Sequence, residues 1–282
     1  MTKVIVIRGG GDLATGVAHA YRQSGLKVVI LEIAAPSAIR RKVAFCEAVY
    51  ENEMTIEGVT ARRTGTAESA AALLSGGSDV IPLLVDPECR FLKSAAACGL
   101  EVTALVDAVL AKRNLGTDKS MAPVTIALGP GFTAGFDVDA VIETMRGHNL
   151  GRILFEGTAA ANTGIPGIIA GFGKERVVHA PASGRIHLLH DIGDLVEKDE
   201  PIAEIKGKNE TGTPVRATLT GVLRGIIHEG YEVTTGLKIA DVDPRKDEQQ
   251  NCFTISDKSR ALGNAALRAL IMCVRKKGGS LW

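Results

Sequence analysis

Three consecutive glycines, Gly9, Gly10 and Gly11, stand between an apolar run and a helical pattern, and a carboxylate, Asp12, follows at once. Gly9-x-Gly11-x-x-Ala14 fits the G-x-G-x-x-G/A dinucleotide pattern in its alanine form. Glu32 closes the next apolar run 21 residues after Gly11, about where a ribose-binding acid belongs. Glycine permits the tight turn, and amides at a helix N-terminus can meet a phosphate. Asp12 argues the other way, because a carboxylate at the mouth repels a pyrophosphate; its plainer role is to cap the helix. A Walker loop is excluded, since Gly16 is followed by Val17-Ala18 and not by Lys-Ser/Thr. A second loop places Gly129, Gly131 and Thr133 after another apolar run, again offering amides and a hydroxyl. Each loop also reads as a plain tight turn. Arg40 and Arg41, past the second apolar run, read as anion-binding cations or as a solvated face.

The expected binding set is thus Gly9, Gly10, Gly11, Asp12, Ala14, Glu32, Arg40, Gly129, Gly131 and Thr133. Gly9, Gly11 and Ala14 would let backbone approach phosphate, Glu32 would take a ribose hydroxyl, and Gly129, Gly131 and Thr133 would make a second wall. Asp12 and Arg40 would meet a non-phosphate part of the ligand or a metal-bound group. The expected cofactor is a nucleotide or a nucleotide-bearing molecule. Catalytic residues stay open: Asp12, Cys252 and His148 are loose candidates at no diagnostic spacing. His187 and His190 lie three apart on a strand pattern and point to opposite faces, so no metal site is expected. The five cysteines are odd in number, scattered and without a CxxC pair, which indicates neither a disulfide framework nor a zinc knuckle. Cys252 reads as a buried or idle cysteine, with a reactive thiol as the alternative.

Strand patterns over 3–7, 27–31, 79–85, 101–106 and 124–128 alternate with helical patterns over 13–23, 66–74, 89–98 and 137–145. That alternation predicts an α/β fold, a Rossmann-like, mostly parallel sheet over 1–172 with ligands beyond its C-terminal strand ends. Residues 178–205 align without a gap with 215–242 at an offset of 37. The repeat resembles the two halves of the barrel-sandwich hybrid of biotinyl and lipoyl domains, which predicts a small β module over 173–248. Its hairpin, 206–214, lacks the sequence around a modified lysine, and neither Lys206 nor Lys208 stands at the usual distance from Gly221, so a swinging arm is not expected. The segment 249–282 predicts a C-terminal helix, capped by Ser256 or Asp257, that packs back on the first domain.

The 282 residues carry a net charge of +1, with 23% charged and 4% aromatic residues, which gives no reason to expect nucleic acid or an anionic membrane as partner. No apolar run approaches the ~20 residues that span a bilayer, and no secretion signal is legible, so a cytoplasmic protein is expected. Self-association through a sheet edge or the tail helix is left open.

The runs "IRGGGDLATGVAHAYRQSG", "AIRRKVAFCEAVYENEMTIEGVTARR", "LLVDPE", "ALGPGFTAGFDVDAVIETMRGHNLGRI", "NTGIPG", "TGVLRGIIHEG", "KIADVDPR" and "CFTISDKSRALG" resemble, in order and through almost the whole chain, the YqeB family of the selenium-dependent molybdenum hydroxylase system. The resemblance implies an accessory or maturation factor with a molybdenum hydroxylase as partner, and a ligand that could be the dinucleotide form of the molybdenum cofactor. It implies no catalytic residues. Cys46 stands where a small residue is expected and is assigned no selenium chemistry. Two other readings stand beside it: a nucleotide-dependent enzyme acting on a selenium or sulfur species, and a non-catalytic scaffold.

Overall fold

The structure is a computed structural model that describes residues 1–164, 167–207 and 212–281. The chain divides into two compact units: one of residues 1–36, 44–163 and 255–282, the other of residues 37–43 and 164–254.

The first unit is built on nine strands: β1 (Thr2–Arg8), β2 (Val28–Glu32), β3 (Glu53–Ile56), β4 (Val59–Thr64), β5 (Ile81–Val85), β6 (Leu100–Asp107), β7 (Thr125–Leu128), β9 (Ala140–Ile142) and β10 (Ile153–Leu154). A small two-stranded sheet, β8 (Thr133–Ala134) with β11 (Gly157–Thr158), stands apart from them. The order β10-β9-β7-β6-β1-β2-β5-β4-β3 is parallel through the middle and antiparallel at both edges, where β3 pairs with β4 and β9 with β10. The central strands read as apolar runs because both faces are covered. Val4 to Ile7 and Val28 to Leu31 are all buried.

This sheet corrects the expected Rossmann-like architecture. It is large and mixed, and its helices are few: α1 (Asp12–Gln23), α2 (Ala48–Glu51), α3 (Ala67–Ser75), α4 (Phe91–Ser94) and α5 (Asp257–Lys276). The helix expected over 137–145 is strand β9, whose Ala140, Val141 and Ile142 are all fully buried. Three adjacent buried residues need two covered faces, which a strand inside the sheet provides and a surface helix does not. The pattern over 89–98 shortens to α4 and a 3-10 turn over Ala95–Cys98.

The second unit holds β12 (Val177–His179), β13 (Gly184–Leu188), β14 (Leu195–Val196), β15 (Pro201–Lys206), β16 (Gly212–Arg216), β17 (Gly221–Ile226), β18 (Glu232–Val233) and β19 (Lys238–Asp243). They form two four-stranded antiparallel sheets, β12-β19-β17-β14 and β16-β15-β13-β18. The expected barrel-sandwich-hybrid-like module is corrected to this pair of small antiparallel sheets. The repeat has a physical cause at its glycines. A Cβ on Gly184 would stand 2.3 Å from the Lys206 carbonyl oxygen, and a Cβ on Gly221 would stand 2.1 Å from that of Asp243. These are equivalent positions in the two repeats, each a close backbone approach that only glycine allows. Lys206 is exposed, and Lys208 lies outside the described residues.

Candidate functional site

The opening loop leaves β1 at the C-terminal end of the sheet and enters α1. Two of its glycines are filled by protein. Gly9 has φ +93°, and a Cβ there would stand 3.1 Å from the Ala108 carbonyl carbon, so the glycine lets β1 end against the end of β6. A Cβ on Gly10 would meet the Cys46 nitrogen at 3.0 Å, and the Gly10 carbonyl accepts the Cys46 N–H at 2.8 Å. Gly11 differs: nothing lies within 4 Å of a Cβ placed on it. It is the N-cap residue of α1 and carries no side-chain cap. Asp12 is therefore not the cap but the first helical residue, where a negative charge still suits the helix dipole. Ala14 is buried in the core cluster.

Glu32 stands where the spacing placed it, but its carboxylate serves the protein. Oε2 accepts the Gly10 N–H at 2.7 Å and Oε1 accepts the Ile33 N–H at 2.7 Å. Burial pushes the carboxyl above its ordinary value, and the two amides counter that rise. Cys46 lies against the same loop. Burial, then the carboxylates of Glu32, Glu47 and Asp12, pushes its thiol well up, which makes it a poor nucleophile.

The C-terminal helix completes this edge. Ser256 caps α5 by accepting the Ser259 N–H at 3.2 Å. A Cβ on Gly16 would stand 2.3 Å from the Ser259 carbonyl oxygen, and one on Gly263 would stand 2.2 Å from the Gly16 carbonyl oxygen. The two helices therefore cross at backbone contact. The Ser259 hydroxyl donates to the Asp12 carbonyl, and the Tyr21 hydroxyl donates to the Ala266 carbonyl at 3.0 Å. This clasp brings Lys258, in the first turn of α5, into the field of Asp12. Lys258 is half-buried, and among the described residues it has neither a hydrogen bond nor an ion pair. Burial, then the Arg146 guanidinium, pulls its ammonium below the ordinary value against the pull of Asp12, Glu143 and Asp257. Arg146 forks onto Asp257 at 2.8 and 3.1 Å. Glu143, 6% exposed, accepts the N–H groups of Met145 and Ala160, each at 2.7 Å.

The second glycine loop leads into β8 and not into a helix. A Cβ on Gly129 would stand 2.7 Å from Thr144 Oγ1, and one on Gly131 would stand 2.5 Å from Arg113 Cα. The Thr133 N–H donates to Asp137 Oδ2 at 2.7 Å. Arg40 belongs to the second unit, where its guanidinium donates to the carbonyls of Asn251 at 3.3 Å and Thr254 at 3.5 Å. His187 faces Glu229 at 3.0 Å, while His190 faces Asp194 at 3.4 Å and Glu200 at 3.2 Å, so the two imidazoles serve separate carboxylates. Cys252 is buried, and burial raises its thiol; His148 is exposed. Sequence reasoning missed Lys258 and Glu143. The signal for Lys258 was the small-residue spacing of Gly16 and Ala20 against Ser259, Gly263 and Ala266, which marks a close helix crossing.

No family model matches the chain. It is 47% identical over 274 residues to "Uncharacterized protein YqeB" of Escherichia coli (strain K12), a match that takes in 97% of this chain and 48% of that protein. The chain spans about half the length of the curated relative it matches. Among solved structures it is similar to an aspartoacylase family protein of Mesorhizobium loti MAFF303099, at 8% identity over 86% of this chain and 84% of that one, with a TM-score of 0.27. It is also similar to a succinylglutamate desuccinylase/aspartoacylase from Rhodobacter sphaeroides, at 11% identity over 88% of each chain, with a TM-score of 0.26. At these scores the likeness carries no functional argument. Among the described residues, no helix is long and apolar enough to cross a membrane.

Proposed function

We propose that the protein is an accessory factor that binds a small phosphate-bearing molecule at the C-terminal edge of its large sheet, in the service of a selenium-dependent molybdenum hydroxylase. The partner enzyme comes from the family resemblance; the ligand class comes from the site. One observation carries the binding reading: the first turn of α1 opens at Gly11 with no side-chain cap, and Lys258 stands nearby without a partner. Uncapped amides and an uncommitted ammonium together suit a phosphate or carboxylate. Asp12 lowers the affinity for a highly charged pyrophosphate and suits a ligand that also brings a hydroxyl or an amine. Glu32 then acts one step back, by fixing the Gly10 amide and hence the loop.

The test is a thermal-shift panel with ATP, CTP, NAD, FAD and molybdopterin dinucleotide. A ligand present at about 100 times its dissociation constant adds about 2.7 kcal/mol of stability. The expected result is a rise with one of them, abolished by Gly11→Val and reduced by Lys258→Met. A flat panel, or a rise that survives Gly11→Val, refutes the reading.

A further inference from the structure

We propose that the second unit carries a phosphate-binding site of its own, in which the guanidiniums of Arg224, Arg40 and Arg245 receive the phosphate group of a small molecule on the outer face of the sheet β12-β19-β17-β14. The inference does not rest on the sheet-edge reading above.

The alternation of β19 creates this face. Ala240 and Val242 point into the core of the second unit, so Asp241 and Asp243 stand on the other side of the strand. Both carboxylates are buried, and both are already taken. Asp241 accepts from Arg176 Nη2 at 2.9 Å. Asp243 accepts three donors of Arg245: the backbone N–H at 3.1 Å, Nε at 3.0 Å and Nη2 at 2.8 Å. Beside them β17 bulges. Its pairing moves from Leu223 opposite Val242 to Gly225 opposite Asp241, so Arg224 is the extra residue. The bulge brings this arginine to acceptors that are already used. Its one ion pair among the described residues is with Asp243 Oδ2 at 3.8 Å, beyond hydrogen-bond reach, and it makes no hydrogen bond to them. Asp241 lies opposite Val177 on its other side, so Arg176 and Arg224, each one residue earlier, flank it. Arg176 is 5% exposed, and its Nε is buried with no acceptor among the described residues. Cationic donors thus exceed the acceptors that the chain supplies on this face, and an anion is the partner they lack.

Two further guanidiniums close on the same place. A Cβ on Gly225 would stand 2.9 Å from the Ile39 carbonyl oxygen and 3.4 Å from Arg40 Cγ, so the segment 37–43 lies against the bulge. Arg224 and Arg40 both act on the Cys252 thiol, against the rise that burial causes. The Arg224 side chain is 15% exposed and that of Arg245 is 40% exposed, which leaves the site open on the Arg245 side. The arginines come from three separate segments: β17, residues 37–43 and the turn after β19. A planar carboxylate is satisfied by one guanidinium fork, whereas a phosphate group offers oxygens in several directions and suits donors that converge from separate segments.

Phenylglyoxal labelling of the full-length protein, read by peptide mass spectrometry with and without inorganic phosphate, tests this on wild type. Exposed Arg268 is the internal reference. At a phosphate concentration about ten times the dissociation constant, Arg224 is expected to label about tenfold more slowly, because the unliganded fraction falls by about that factor, while Arg268 is unchanged. Arg224 labelling that phosphate does not slow overturns the proposal, and acetate protecting as well as phosphate overturns the choice of a phosphate group. AMP replaces phosphate in a further arm. Protection at lower AMP than phosphate assigns a phosphate monoester, and the reverse assigns free phosphate; both uphold the site. Calorimetric titration with inorganic phosphate adds the variants. Arg224→Gln is expected to weaken binding at least about tenfold, the loss of one charged hydrogen bond, and Arg224→Lys to weaken it less. Gly11→Val is expected to leave this binding unchanged. Affinity that survives Arg224→Gln but is lost in Gly11→Val assigns the phosphate to the sheet edge and overturns the proposal made here.

Discussion

Replacing Gly16 by alanine tests the clasp on which the site depends. A Cβ there would stand 2.3 Å from the Ser259 carbonyl oxygen, more than 1 Å inside ordinary contact. The obstacle is backbone and cannot rotate away, so the helices must separate. Forced overpacking of this kind costs about 1–3 kcal/mol. Separation also stretches the Ser259–Asp12 hydrogen bond and the one from the buried Tyr21 hydroxyl, where an unmet donor costs about 1–3 kcal/mol. Alanine returns about 1 kcal/mol of helix propensity against glycine. The net expectation is a loss of about 3 kcal/mol, which lowers the melting temperature by roughly 6–12 °C for a unit of this size. Circular dichroism melts of Gly16→Ala and wild type measure it, with Gly11→Ala as the control, since Gly11 has open space and an ordinary φ of −64°. A Gly16→Ala protein that melts at or above wild type would show that α1 and α5 are not in backbone contact, and the placement of Lys258 would fall with it.

Gly184→Ala and Gly221→Ala place a Cβ at 2.3 and 2.1 Å from carbonyl oxygens of the neighbouring strand, so each is expected to destabilise the second unit by about 1–3 kcal/mol. Limited proteolysis over 177–243 reads this, and cleavage no faster than in wild type refutes it. Glu32→Gln probes a carboxyl raised by burial. A raised carboxyl contributes stability below the ordinary carboxylate range and loses it as pH rises through the folded value. The margin of wild type over Glu32→Gln is therefore expected to narrow from pH 4 upward in urea titrations; a constant margin would place Glu32 in water-like surroundings.

How much of this was legible in the sequence depended on whether the cause was local. The opening β1–α1–β2 unit was, because alternating burial and three glycines are local signals. The 37-residue repeat was also legible, and its glycines mark the two close approaches at Gly184 and Gly221. The segment 137–145 was misread because Val138, Val141 and Ile142 also fit a helical stripe. Only its neighbours β7 and β10 make it a strand. Glu32 was found by spacing, but nothing in the sequence says that the Gly10 amide turns toward its carboxylate. Lys258 was missed because Asp12, Glu143 and Arg146, which act on it, come from segments more than a hundred residues away, and only the small-residue spacing of α1 and α5 hints at their meeting.

Lys258 also bears on what the fold gives up for its site. A half-buried ammonium without a partner is a cost, and folds keep such costs mainly where function uses them. Lys258→Met keeps most of the side-chain volume and removes the charge. A lowered lysine contributes stability above its ordinary titration range, and that contribution is lost as pH falls through the folded value. Wild type is therefore at its greatest disadvantage at neutral and acid pH. Lys258→Met is expected to melt higher than wild type at pH 7, with the difference closing toward pH 10.5. If Lys258→Met instead melts lower at pH 7, the ammonium is stabilised where it stands, as a structural ion would be, and the case for an uncommitted amine at this edge is lost.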